Sequence, residues 1–287
     1  MTLKNLMPAN TSKSVFAVHE EPSSGSNEVN CGKEPLCNGL LKAEILASPF
    51  IEHGFFGRES GFSEGVYASL NCSNYVGDDA LNVAKNLEIV RNCIGARKLI
   101  TLKQCSENKC LEVNNDTPST GLMADAMVTA VPGLAIGVLA ADCVPILFFD
   151  EKNKIIAAAH AGWRGAVSGI VESTVDKIIR RGADLDSTKV AIGPCIGPNS
   201  YEVSDDFSEN FTDGDDCFCS FNGKLHFNLA HYCQTHLLKS GLREQNIQLL
   251  SVDTVANNSC YFSHRAACKS GNGVCGRNIS VICLRNS

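Results

Sequence analysis

Three uninterrupted apolar stretches dominate the middle of the chain: LAIGVLA at 134–140, VPILFF at 144–149 and, after the polar break DEKN, KIIAAAH at 154–160. Runs of this length without alternation indicate strands covered on both faces. Around them the period changes. Ala80, Val83, Ala84, Leu87, Val90 and Ile94 fall at helical spacing and Gly95 follows, which predicts a helix over 78–95. A second helix is expected over 166–181, where Val167, Ile170, Val171, Val175, Ile178 and Ile179 share one stripe and Gly182 closes it. A third is expected over 227–240, and shorter strands over 98–105 and 109–113. The Gly- and Ser-rich stretch FFGRESGFSEGVYASLNC at 55–72 reads as a long functional loop. Residues 1–42 are polar and aperiodic, so they are expected to be a poorly ordered tail with a short strand at 15–18, and 43–287 a single domain. Helices interspersed with buried strands predict a mixed α+β fold, an α/β sandwich of mixed sheets covered by helices.

Composition narrows the function classes. Net charge is −6 with no long Lys/Arg run, which argues against a nucleic-acid partner. The apolar run nearest to membrane length, 134–149, is interrupted by Asp142 and Pro145, so no membrane span is expected. The fifteen cysteines are odd in number and no secretory signal is evident, so most are read as reduced thiols in a cytoplasmic protein.

The DEKN break suggests a hairpin. With Glu151 and Lys152 as its two loop residues, Cys143 would face His160, their Cβ atoms about 4.5–5.5 Å apart. A turn centred on Lys152–Asn153 would instead set His160 opposite Pro145. Cys143 and His160 are the leading catalytic candidates, able to make a thiol–imidazole contact or to share a metal ion. His160 runs directly into AGWRG, where a turn before a helix and the cation of Arg164 suit a phosphate or an oxyanion. Other features are weaker. His53 sits at the transition into the Gly-rich loop and Arg58 lies within it, AIGPCIGP at 191–198 lines a pocket or merely turns a corner, and FSHR at 262–265 offers a second His–Arg pair. Cys217 with Cys219, or Cys31 with Cys37, are conceivable metal ligands. His231 and His236 are five apart and do not share a helix face well, which favours an ordinary structural role.

The ordered set HGFFGR, SEGVYASLN, ADAMVT, ADCVPILFFD, AAAHAGWRG, AIGPCIGPNSYEV, YFSHR and CGRNIS closely resembles the YfiH-type laccase-domain family, from about residue 45 to the C-terminus. The resemblance implies a sandwich like that of the cytotoxic necrotizing factor deamidases. It implies a zinc-dependent purine nucleoside phosphorylase that also deaminates adenosine, a small-molecule enzyme, monomeric or homodimeric. The same family has been described as peptidoglycan editing factors that hydrolyse a mis-assembled precursor amide, and as copper-containing polyphenol oxidases. Seven scattered histidines supply a multicopper centre poorly. Arg58 is the catalytic and phosphate-clamp candidate, with Asn71, Asp142 and Arg164 as further substrate- or phosphate-binding residues. The family's metal set of two histidines and a cysteine falls on Cys143 and His160, but its other histidine falls on Ser106, in LKQCSENKCLEV. Cys105 and Cys110 are the candidate substitutes, two ligands alone would bind metal more weakly, and a metal-depleted, non-catalytic relative is a further alternative.

Overall fold

The computed structural model describes residues 40–286, all within one unit spanning 31–287. The strand expected at 15–18 lies outside the described residues. In chain order the elements are β1 (Leu40–Leu41), β2 (Ile51–Phe56), α1 (Ala80–Cys93), β3 (Lys98–Thr101), β4 (Cys110–Glu112) and β5 (Ala126–Thr129). There follow β6 (Leu134–Ala140), β7 (Val144–Asp150), β8 (Ile155–Ala161), α2 (Trp163–Val167), α3 (Ile170–Arg180) and β9 (Thr188–Ile192). The chain closes with β10 (Phe218–Phe221), β11 (Lys224–Phe227), α4 (Leu229–Lys239), β12 (Ile247–Leu249), α5 (His264–Ser270) and β13 (Asn278–Leu284). Leu40 and Leu41, placed in the tail by the sequence pattern, pair with Phe56 and Phe55, and Lys42 ion-pairs with Glu52. The fold therefore takes in at least the last three residues of the expected tail.

Two mixed sheets stack. One has the order β1-β2-β13-β6-β3, the other β12-β9-β7-β8-β5-β4. Phe55, Ile136 and Ile282 of the first meet Leu147, Phe149 and Ile156 of the second in the layer between them. On the outer face of the five-stranded sheet, Val90 and Ile94 pack on Leu139 and Val281. On the outer face of the six-stranded sheet, Val171, Val175 and Ile178 of α3 cover Ile146, Phe148 and Ala157. The molecule is thus a four-layer sandwich, helix–sheet–sheet–helix. This is why β6, β7 and β8 are apolar at every position: each face of each sheet is covered.

The helices begin and end where their caps dictate. Asp79 accepts hydrogen bonds from the Leu81 and Asn82 N–H groups and starts α1. The single helix expected over 166–181 is two, because Gly169 sits in the left-handed region at φ 89° between α2 and α3. The hairpin register also differs from the two-residue loop. Asp150 pairs with Ile155 and Pro145 with His160, so the turn has four residues, 151–154. Asp150 holds it by accepting from the Lys152 N–H and the Asn153 side chain, while Lys154 takes φ 53°. Cys143 consequently lies before the first strand residue and does not face His160 across the ladder.

Candidate functional site

The site lies at one end of the sandwich, where the chain passes between sheets. β6 belongs to the five-stranded sheet and β7 to the six-stranded one, and Ala141, Asp142 and Cys143 make the crossing. Asp142 adopts φ 91°, a conformation that costs a non-glycine residue about 1 kcal/mol or more. Three contacts hold it there. Its carboxylate accepts from the Thr254 hydroxyl at 2.7 Å and the Arg265 N–H at 2.6 Å, and its carbonyl accepts from the Ile196 N–H at 2.9 Å. The braced turn presents Cys143 at the cleft. The carboxylate of Asp142 is occupied in this role, and the residue also lines the first cleft.

His160 continues the row of Ile156 and Ala158 on the face of β8 toward the other sheet, at the strand's last turn. Its Nδ1 lies 2.9 Å from Oδ1 of Asp125, and its backbone N–H donates to the Asp125 carbonyl at 2.8 Å. The thiol of Cys143 lies close enough to act on the imidazole's charge. The register is that of the turn centred on Lys152–Asn153, with His160 opposite Pro145, and the two predicted residues still converge: the Cys143 Sγ and the His160 Cε1 lie 3.1 and 3.9 Å from the point where a Cβ on Gly162 would sit. Glycine at 162 keeps that space open. Burial alone would lower the His160 pKa, but the Cys143 sulfur and the Asp125 carboxylate outweigh it and raise the pKa to about 9.

Asp125 escaped the sequence reading, although it lies in ADAMVT. It is fully buried and accepts from the N–H groups of Cys105, Ser106 and Glu107 at 3.2, 3.0 and 2.9 Å. Burial would raise its pKa, but these donors and His160 hold it below the ordinary carboxylate value. A lone carboxylate at the head of a fully apolar strand was the available signal, since such a group must find donors. Gln104 was also missed in this structural role. It pairs with both the N–H and the carbonyl of Leu139, each at 2.7 Å, docking loop 103–106 on the end of β6. Loop and carboxylate together aim Ser106, at φ 59°, so that its Oγ lies 3.6 Å from the same open point beside Gly162.

The other candidates are placed as follows. Arg164 stacks on the Trp163 ring and lines the cleft. Arg58 is committed elsewhere: its guanidinium donates to the Ala68 and Asn258 carbonyls and lies over Phe262, lining neither cleft. Asn71 is buried, its amide bonding Asp78 and accepting from the Arg277 N–H. Its position is that of a brace. His53 accepts from the Ala43 N–H inside β2 and burial lowers its pKa to about 4, a structural role. His264 and Arg265, of unknown role in the sequence, both reach the cleft.

Two clefts of about 320 and 340 Å³ share Ser106, Ala141, Cys143 and His264. The first is lined further by Trp163, Arg164, Tyr201 and Arg265, the second by Tyr75, Gln104 and Arg277. Each is large enough for part of a nucleoside-sized molecule.

The donor set does not fit the zinc site implied by the resemblance. A catalytic zinc takes three nitrogen, sulfur or carboxylate ligands, whereas Cys143 and His160 are joined here by a hydroxyl. Neither substitute is in place. Cys110 turns toward Thr174 and Lys177 on α3, and burial pushes its thiol pKa up to about 12. Cys105 donates to Asp125 at 3.3 Å. Among the described residues, a three-donor His/Cys/Asp/Glu group occurs only at Asp216, Cys217 and His231, away from this cleft.

A thiol, an imidazole and a buried carboxylate thus stand in series beside two clefts of an α+β sandwich, a thiol–imidazole arrangement. The chain belongs to the family described as multi-copper polyphenol oxidoreductase laccase, whose model matches residues 52–285. It is 31% identical over 251 residues to a purine nucleoside phosphorylase of Bacteroides thetaiotaomicron, covering 81% of this chain and 93% of that one. It is 34% identical over 174 residues to adenosine deaminase RL5 of an unknown prokaryotic organism, covering 57% and 62%. The crystal structure of the Bacillus licheniformis hypothetical protein YfiH matches with a TM-score of 0.76 at 28% identity, over 86% of this chain and all of that one. Among the described residues no helix is long and apolar enough to cross a membrane.

Proposed function

We propose that the protein phosphorolyses purine nucleosides in the paired clefts around Cys143, with adenosine deamination as a second activity. The observation that carries this reading is the convergence of Cys143, His160 and Ser106 where the clefts meet, with Arg164 and Arg265 on one side. The names of the relatives support the same substrate class. In phosphorolysis a phosphate oxygen bonds to the anomeric carbon as the bond to the base breaks, and the departing base takes up a proton. Arg164 and Arg265 supply the cations for phosphate, because a guanidinium holds such an oxyanion through paired donors. His160 is the proton carrier, oriented by Asp125. In deamination, water adds at the purine carbon and ammonia leaves with a proton from the same relay. No step is routed through a metal.

The test is base release from inosine and adenosine, with and without inorganic phosphate. Free base together with ribose 1-phosphate is expected only with phosphate present. Equal release without phosphate overturns phosphorolysis. The Asp125–His160–Cys143 series favours one second reading, hydrolysis of an amide such as a mis-assembled peptidoglycan precursor through a thioester on Cys143. That reaction is indifferent to phosphate, so the same experiment separates the two.

A further inference from the structure

Cys217 and His231 stood apart in the sequence, and the fold joins them. Cys217 lies in the single 3-10 turn Asp215–Cys217, entered through Gly214 in the left-handed region at φ 91°. That turn directs Cys217 inward, with 1% of its surface exposed, and leaves Asp216 outside. His231 comes from the first turn of α4, where its N–H donates to the capping Asn228 side chain at 3.0 Å. The Asn228 N–H in turn donates to the Cys217 carbonyl at 2.8 Å, so the backbones carrying the donors are tied together.

We propose that Asp216, Cys217 and His231 form a zinc-type metal site, distinct from the Cys143 cleft, that pins the segment 205–227 to helix α4. One oxygen, one sulfur and one nitrogen donor all lie within 4.8 Å of one another. His231 Nε2 is 2.9 Å from Asp216 Oδ2, and the Cys217 Sγ is 3.7 Å from Asp216 Oδ1. A mixed carboxylate–thiol–imidazole set selects zinc, or copper, over magnesium and calcium, which prefer oxygen alone. The position left over faces solvent beside the two half-exposed groups, and water completes a tetrahedron. The Cys217 side chain belongs to the apolar core and at the same time places its sulfur against the Asp216 carboxylate, with Asp213 nearby. Lys239 is the nearby cation, and it is paired with Asp213.

The site bears on the cleft through aromatic packing. Phe207, Phe211, Phe218 and Phe227 form one cluster on this segment, and Phe207 meets Trp163 edge to face at 5.0 Å. Trp163 is part of the cleft wall. Metal binding would therefore stiffen that wall without touching the reacting groups.

The test uses the full chain carrying Cys143→Ser, which removes the thiol of the other site, stripped with chelator and titrated with cobalt(II). One equivalent should bind with a thiolate-to-cobalt charge-transfer band, displaced by zinc. Adding His231→Ala, at a partly exposed position where folding is not at risk, should weaken binding by about tenfold or more. Adding Cys217→Ser should abolish the band. Zinc should slow amide hydrogen exchange across 205–227. A band that survives both substitutions, no band at all, or exchange slowed only outside this segment overturns the proposal. The outcome does not depend on the nucleoside reading.

Discussion

Asp125 does two jobs with one carboxylate. One oxygen fixes the imidazole of His160, and the pair gathers the N–H groups of the loop that carries Ser106. Asp125→Asn keeps the shape but replaces an acceptor with a donor that faces other donors. We expect turnover to fall by about 100-fold or more, because the imidazole loses its orienting partner. A stability loss of about 2–3 kcal/mol should accompany it, read by denaturant melts alongside kcat. Arg164 and Arg58 divide differently. Arg164→Ala should raise the KM for phosphate about tenfold while leaving the melting temperature unchanged, and Arg58→Ala should destabilise by about 1–3 kcal/mol with that KM unmoved. The reverse pattern would return the phosphate clamp to Arg58. At Ser106 a hydroxyl stands where an imidazole would complete three ligands. Ser106→His should raise the zinc held at Cys143 and His160 from substoichiometric toward one equivalent, measured by elemental analysis in a Cys217→Ser background. Full occupancy before the change would refute the ligand count. The motif pair around Cys143 and His160 was legible because both lie at strand ends beside short, distinctive sequences. Asp125 and Gln104 were not, because their partners lie in other segments of the chain, which no local pattern reports.

Among the elements, the buried strands announced themselves and their register did not. Apolar runs follow from coverage on both faces, a property of the whole stack that each strand shows in its own residues. The register depends on one side chain. Asp150 accepts from the Lys152 and Asp184 N–H groups, the Asn153 amide and the Ser187 hydroxyl. These bonds close a four-residue turn that residue spacing alone could not distinguish from a two-residue loop. Burial would raise the Asp150 pKa, and these donors together lower it below the ordinary value. A depressed folded-state pKa adds stability above the unfolded-state pKa and loses it as pH falls through the folded one. Asp150→Ala should therefore cost about 2–3 kcal/mol at neutral pH, and the gap from wild type should shrink below about pH 4. Urea melts of both proteins from pH 7 to pH 3 check this; a gap that widens toward acid would contradict it. The split between α2 and α3 was hidden for a similar reason. Gly169 sits inside an otherwise continuous helical stripe, and only its positive φ shows that the chain turns there.

Across the whole molecule, the five-stranded sheet is assembled out of sequence order. β13 lies at its middle, paired antiparallel with β2 on one side and β6 on the other. All seven of its residues are buried, and Val281 and Ile282 face opposite core layers. A chain ending at Gly276 should lack a cooperative melting transition, because β2 and β6 would be left with a gap that side chains cannot bridge. Circular dichroism melts and gel filtration of that truncation decide the point, and a soluble monomer with a sharp transition would disprove it. The same feature sets the timing of synthesis. β2 leaves the ribosome more than two hundred residues before the strand that joins it to β6. While the residues between them are made, the first half of this sheet waits with an open ladder, a template for mispairing with other nascent chains. The sheet closes its centre only once β13 has been made, more than two hundred residues after β2, so shielding of that waiting edge bears directly on how much chain reaches the folded state.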